Sequence, residues 1–358
     1  MHPKWHTLTP RITGTLKPRD YSQPVTIRPG RKVKPAMNSF KPIKGFRNRH
    51  LQSIAASIKL RRPLVKRRAA GMLCSSEEII VDCGKGVRLQ GFYSPHGDKP
   101  RDLVILLHGW EGSSESMYLL SSAGHLFNKG FDIFRLNMRD HGDSHHLNKG
   151  LFHSCLLDEV LFGVKRIRED YSMGQKTFLC GFSLGGNFAL RIGAKANGSG
   201  LLLDKIVAIC PVIHPPSTMD VLAKGFFVYQ AYFIRKWKKS LFKKKSLFPE
   251  IYDFGDPAMF KSLSVMTDYF VDIYTDFPDM ATYLNGYSLK GDVLKDLTIP
   301  AHILSSQDDP VIPHSDLKDI ARPQSLSLTI TTHGGHCGFI TGPCMKSWVD
   351  EKLVEWFS

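Results

Sequence analysis

Short apolar runs recur along this chain, separated by stretches with helical spacing. Leu103-Val104-Ile105-Leu106-Leu107 is continuously apolar, the pattern of a central parallel strand buried on both faces. Phe131–Leu136, Thr177–Cys180, Lys205–Cys210 and Pro300–Ser305 are further strand candidates, and Leu326–Thr331 alternates with β-branched residues in the same sense. Glu78–Asp82 and Val87–Tyr93 flank Cys83-Gly84-Lys85-Gly86, which predicts a hairpin of edge strands. Between strands, apolar residues fall at turn spacing, as in Gly186–Ile192. Strand and helix in alternation predict an α/β fold, a mostly parallel sheet with helices on both faces.

Two stretches depart from that rhythm. Residues 1–45 are rich in proline and basic side chains with few apolar positions, which predicts an extended basic N-terminal arm ahead of a domain at 46–358. From about 211 to 297 the strands stop, and Gly225–Lys245 combines aromatics with lysines. This predicts a helical cap inserted over the carboxyl edge of the sheet, its aromatics suited to an acyl chain and its lysines to an anionic surface. An amphipathic helix packed on the core with a solvated basic face is the plainer reading of the same residues.

Chemistry concentrates at strand ends. Gly181-Phe182-Ser183-Leu184-Gly185 joins a strand to a helix, and glycines on both sides permit the sharp turn that lifts a serine hydroxyl out of the sheet. A serine becomes a useful nucleophile when a histidine takes its proton and a carboxylate orients that histidine. Asp308-Asp309-Pro310 follows the strand at 300–305, and His333-Gly334-Gly335-His336-Cys337-Gly338-Phe339 follows the one at 326–331. Asp309 is preferred to Asp308 by its spacing from the strand, and His336 to His333 by its place in Gly-Gly-His-x-Gly-Phe. The chain order is thus nucleophile, acid, base, each after a strand and on one edge of the sheet. His108-Gly109-Trp110-Glu111-Gly112 follows the strand at 103–107, so the amides of Trp110 and Leu184 are candidate oxyanion donors. His108 itself reads as a brace for that loop, and Cys337 as a small filler.

These stretches, with Asn48-Arg49-His50-Leu51-Gln52-Ser53 and Gly185-Gly186-Asn187, resemble the YheT-like branch of the α/β-hydrolase superfamily from about residue 40 onward. The resemblance implies an α/β-hydrolase fold and a serine hydrolase acting on esters, lipid esters among them. It assigns Ser183 as nucleophile, Asp309 as orienting acid and His336 as base. Met138-Arg139-Asp140-His141-Gly142-Asp143-Ser144 departs from the family's usual Arg-Gly stretch after the strand at 131–136.

Composition narrows the partners. The net charge of +15 calls for an anionic contact, but no zinc-finger spacing or RNP-like strand argues for nucleic acid. A lipid or small ester substrate and peripheral contact with an anionic membrane account for basic residues interleaved with aromatics. Seven scattered cysteines predict reduced thiols in a cytoplasmic protein, and Met1–Thr7 lacks the apolar core of a secretory signal. The expected chemistry requires no metal or organic cofactor. Asp140-His141-Gly142-Asp143-Ser144-His145-His146 could hold a metal but reads as a structural loop, and His153…Asp158 matches the H-x4-D of some acyltransferases. The predicted activity is ester hydrolysis through an acyl-enzyme. Acyl transfer on the same triad is one alternative, and a non-catalytic membrane-binding module is another.

Overall fold

Alternate side chains of one strand sort the core into two layers. In Leu103–Leu107 (β4), Leu103, Ile105 and Leu107 pack on one face of the sheet, while Val104 and Leu106 pack on the other. The period of two carries each side chain to the opposite layer, and all five residues are buried. The computed structural model describes residues 36–37, 40–97, 99–255 and 257–358, which lie in one unit.

Among the described residues nine strands make the sheet, in chain order β1 (Ala36–Met37), β2 (Glu77–Asp82), β3 (Arg88–Ser94), β4, β5 (Asp132–Leu136), β6 (Thr177–Phe182), β7 (Lys205–Ile209), β8 (Ala301–Ser306) and β9 (Leu326–Thr331). Their spatial order is β1-β9-β8-β7-β6-β4-β5-β3-β2. All neighbours are parallel except β3, which runs antiparallel to both β2 and β5. The expected hairpin is therefore present at one edge, turning through Gly84, Lys85 and Gly86, all with positive φ.

Helices α1 (Arg49–Ser57), α2 (Arg62–Arg68), α3 (Ala70–Cys74) and α4 (Met117–Asn128) come early in the chain. They are followed by α5 (Leu157–Tyr171), α6 (Leu184–Ser199) and, last, α7 (Pro215–Lys224), α8 (Phe227–Leu247), α9 (Leu263–Tyr274), α10 (Met280–Asn285) and α11 (Trp348–Phe357). α4 and α11 cover one face of the sheet, and α5 and α6 cover the other. α7–α10 fall between β7 and β8, where the strand rhythm breaks. They join the layer on the α5–α6 side through Leu222, Trp237, Leu241 and Phe270.

Most of the predicted arm lies outside the described residues. Within its span, Ala36–Met37 pairs with β9, and Phe40 is buried against Phe339 and Trp348. These described residues thus extend the sheet and the core. Among the described residues, no helix is long and apolar enough to cross a membrane.

Candidate active site

Ser183 sits between β6 and α6 with φ 53° and ψ −117°, a backbone conformation that a side chain adopts only under tight local constraint. The flanking glycines supply the room. A Cβ on Gly181 would lie 2.1 Å from the Gly185 carbonyl oxygen, and one on Gly185 would lie 2.5 Å from the carbonyl oxygens of Leu107 and His108. Helix and strands approach too closely there for any larger residue. The Ser183 amide donates to the Ile209 carbonyl at 2.9 Å, which ties the turn to the end of β7.

A continuous chain of hydrogen bonds leaves the serine. His336 Nε2 lies 2.9 Å from Ser183 Oγ, and its Nδ1 lies 2.9 Å from Asp309 Oδ2. The Asp309 side chain is fully buried. Its other oxygen, Oδ1, accepts from the amides of Val311 and Ile312 at 2.8 and 2.9 Å. Both oxygens are thereby fixed, and the carboxylate can neither rotate nor leave. Burial alone would lower the His336 pKa, yet the Asp309 carboxylate and, after it, the adjacent Cys337 side chain raise it well above the ordinary imidazole value. The other members of each sequence pair sit apart from the serine. Asp308 Oδ1 accepts from the Gly335 amide at 2.9 Å, and its Oδ2 lies 3.5 Å from His333 Nδ1, so this pair supports the base of the loop.

Across from the relay, the amides of Trp110 and Leu184 donate to no group among the described residues. The loop carrying Trp110 is held from several directions. Gly109 donates to Tyr118 Oη at 2.9 Å, and Glu111 donates to His141 Nε2 at 3.1 Å. His108 is buried, its Nδ1 bonded to the Gly109 carbonyl at 2.8 Å and its Nε2 accepting from Met138 at 3.1 Å. Burial pushes the pKa values of both His108 and His141 down, to about 4 for His141, so both rings stay neutral. They serve as braces. A cavity with an empty volume of about 760 Å³, part of it open to solvent, leads from Ser183 beneath the cap. Trp110, Met219, Leu222, Phe233, Trp237 and Phe270 give it an apolar wall.

Two features escaped the sequence reading. Gln52 and Ser53, on α1, clamp the histidine loop: Gln52 Oε1 accepts from Ile340 at 2.6 Å, and Ser53 Oγ accepts from the His336 amide at 2.8 Å. Both polar residues are buried on α1, a placement that only the fold reveals. Lys244, within a lysine run that suggested an anionic surface, is instead wholly buried. It donates to Asp140 Oδ1 at 2.7 Å and to the carbonyls of His145, Asn148 and Gly150. Helical spacing turns that one lysine inward while Lys243 and Lys245 bond acids at the surface. The histidines at 141–146 are spent on similar internal bonds, His145 Nε2 meeting Ser240 Oγ at 2.8 Å. The two halves of the H-x4-D pattern diverge: His153 lines the cavity, while exposed Asp158 stands in the first turn of α5 and pairs with Lys195.

The alpha/beta hydrolase family matches residues 104–343 of this chain. YheT of Escherichia coli (strain K12), an esterase-named protein, is 24% identical over 328 residues, covering 89% of this chain and 93% of YheT. Among solved structures, the Pyrococcus furiosus esterase Pf2001 aligns with a TM-score of 0.51 at 15% identity, over 79% of this chain and 90% of that one. A membrane phospholipase A described as a bacterial virulence factor aligns with a TM-score of 0.51 at 16% identity, over 83% and 90%. The family match spans the segment from β4 through the histidine loop, and with the nine-stranded sheet it places the chain: it belongs to the alpha/beta hydrolase family.

Proposed function

We propose that this protein hydrolyses carboxylic esters through an acyl-enzyme on Ser183. The observation that carries the reading is the unbroken relay Ser183–His336–Asp309, with a 2.9 Å contact on each side of the imidazole. His336 accepts the hydroxyl proton as Ser183 attacks the ester carbonyl, and Asp309 stabilises the resulting imidazolium. The tetrahedral oxyanion lies between the amides of Trp110 and Leu184, each worth about 3–4 kcal/mol of barrier by analogy with measured donors. His336 then protonates the leaving alcohol, and it activates the water that clears the acyl group.

The acyl part of the ester lies in the cavity under the cap, whose aromatic and aliphatic wall suits a hydrocarbon chain. α8 links that wall to the surface. Phe233 and Trp237 line the cavity, while Phe226 and Phe227, at the same helix's beginning, are exposed beside Lys224. Lipid esters reached from an anionic membrane are therefore the favoured substrate class. Turnover of nitrophenyl esters of rising acyl length, beside monoacylglycerol and phospholipid, tests the reading. Hydrolysis that rises with chain length and vanishes in Ser183→Ala supports it. A preference for the shortest soluble esters would remove the lipid assignment, and undiminished turnover by Ser183→Ala would remove the mechanism.

A further inference from the structure

Beneath the histidine loop lie two thiols that ester hydrolysis does not use. Cys210 ends β7 and Cys337 follows His336; both are buried, and both hold positive φ, 44° and 58°. Their side chains hydrogen-bond one another, and the Cys337 amide donates to Cys210 Sγ at 3.4 Å. Cys337 also bonds the His336 ring, and each sulfur makes one long contact, 3.8 Å, to a backbone carbonyl: Cys210 to Gly335 and Cys337 to Ile209. A ring nitrogen of His336 and the two sulfurs all lie within 4.8 Å of one another.

We propose that Cys210, Cys337 and His336 form an inhibitory site for a thiophilic divalent cation, Zn²⁺ being the fitting one. Zinc bound to two thiolates and one imidazole holds its donors about 3.5–3.8 Å apart, given bonds of about 2.3 Å to sulfur and 2.0 Å to nitrogen in a tetrahedron. The donors here need to close by about 1.3 Å or less; the sulfurs surrender long contacts, and His336 surrenders one of its two 2.9 Å bonds. Two cysteines and one histidine match the preference of zinc over magnesium or calcium, which favour oxygen. Binding converts two thiols and one Zn²⁺ into a dithiolate complex and releases two protons to solvent, so affinity rises with pH.

The consequence for activity follows from the imidazole. His336 uses one nitrogen for Ser183 and the other for Asp309, so a metal on either one breaks the relay. Occupation of the site and catalysis exclude each other. This consequence rests on His336 being the base, whereas the binding itself does not.

The test titrates the purified full chain with Zn²⁺ while following ester turnover, and separately with Co²⁺ while recording absorption. The expected result is loss of activity at one zinc per chain, restored by a chelator, with a thiolate-to-cobalt charge-transfer band of the same stoichiometry. Each measured against its own activity in chelator, Cys210→Ser and Cys337→Ser need at least tenfold more zinc for half inhibition, and the double variant shows no band. The wild-type cobalt spectrum needs no variant to fold. A band in protein that cleaves no ester would sustain the metal site while the hydrolase reading falls. Zinc inhibition unchanged in the double variant, or no thiolate band at inhibitory metal, would overturn the proposal.

Discussion

Replacing Asp309 by asparagine sets two of its hydrogen-bonding duties against each other. Oδ1 accepts from two backbone amides, and Oδ2 faces His336 Nδ1. An amide has one oxygen and one NH₂. If the NH₂ faces Val311 and Ile312, donors meet donors in a buried site, and two amides lose their acceptor. The oxygen therefore stays with the amides, and the NH₂ turns to His336. Nδ1 must then accept, which moves the ring proton to Nε2 and aims it at Ser183 Oγ. The base is lost though every atom keeps its place. The analogous change in other serine hydrolases lowers kcat about 10⁴-fold, or about 5.5 kcal/mol, and the same loss is expected here. Asp308→Asn is the matched control. Its carbonyl can still accept from Gly335, and its NH₂ points toward His333, so turnover should stay within about threefold. The assay is kcat/KM for a nitrophenyl ester across pH. On the proposed mechanism the wild type needs neutral His336, whose raised pKa puts the acidic limb above about pH 6.5, with rate falling as pH drops through it. Loss of the carboxylate moves whatever limb remains downward. Retention of a tenth of the rate by Asp309→Asn, or a thousandfold loss in Asp308→Asn, would refute the reasoning.

Other expectations test the supports around the relay. Lys244→Met leaves Asp140 buried without its cation and should cost about 3–5 kcal/mol in chemical denaturation; adding Asp140→Asn, which tolerates the φ of 57°, should recover part of that loss. Recovery of nothing would show that Lys244 acts through its carbonyl contacts instead. Burial, opposed by Lys236, raises the Glu111 pKa from 4.5 to about 8, so the folded state favours the neutral acid. Its stabilising contribution is complete below pH 4.5 and is lost as pH rises to about 8. Glu111→Gln should therefore melt higher than wild type at pH 9 and with it at pH 4; a constant difference would contradict this. For the membrane reading, the protein should pellet with anionic liposomes at low salt and much less at high salt, and Phe226→Ser/Phe227→Ser should weaken pelleting. Pelleting indifferent to both salt and substitution would end that reading.

The strands were legible because central parallel strands must be apolar on both faces, and the site residues because chemistry sits where those strands end. β4 and β9 begin and end where their patterns do, and α6 starts earlier, at Leu184, since its first turn is part of the elbow. Contacts between segments distant in sequence left weaker traces. Gln52 reaches Ile340 across 288 positions, and nothing local marks a glutamine as a clamp. His50 meets Tyr229 of the cap at 3.0 Å in the same way, so one short motif, capped by Asn48, holds both the histidine loop and the cap. The burial of Lys244 follows from helix phase and from an acid at Asp140, which a run of lysines conceals.

Labelling with a fluorophosphonate asks most directly whether the Ser183 hydroxyl is activated by His336. The account predicts one adduct per chain, located on Ser183 by mass spectrometry of peptides, with ester turnover lost in step. Ser183→Ala should take up no label, and His336→Ala should take it up far more slowly. A folded protein that cleaves esters yet never labels, or that labels elsewhere while Ser183→Ala stays active, would contradict the account.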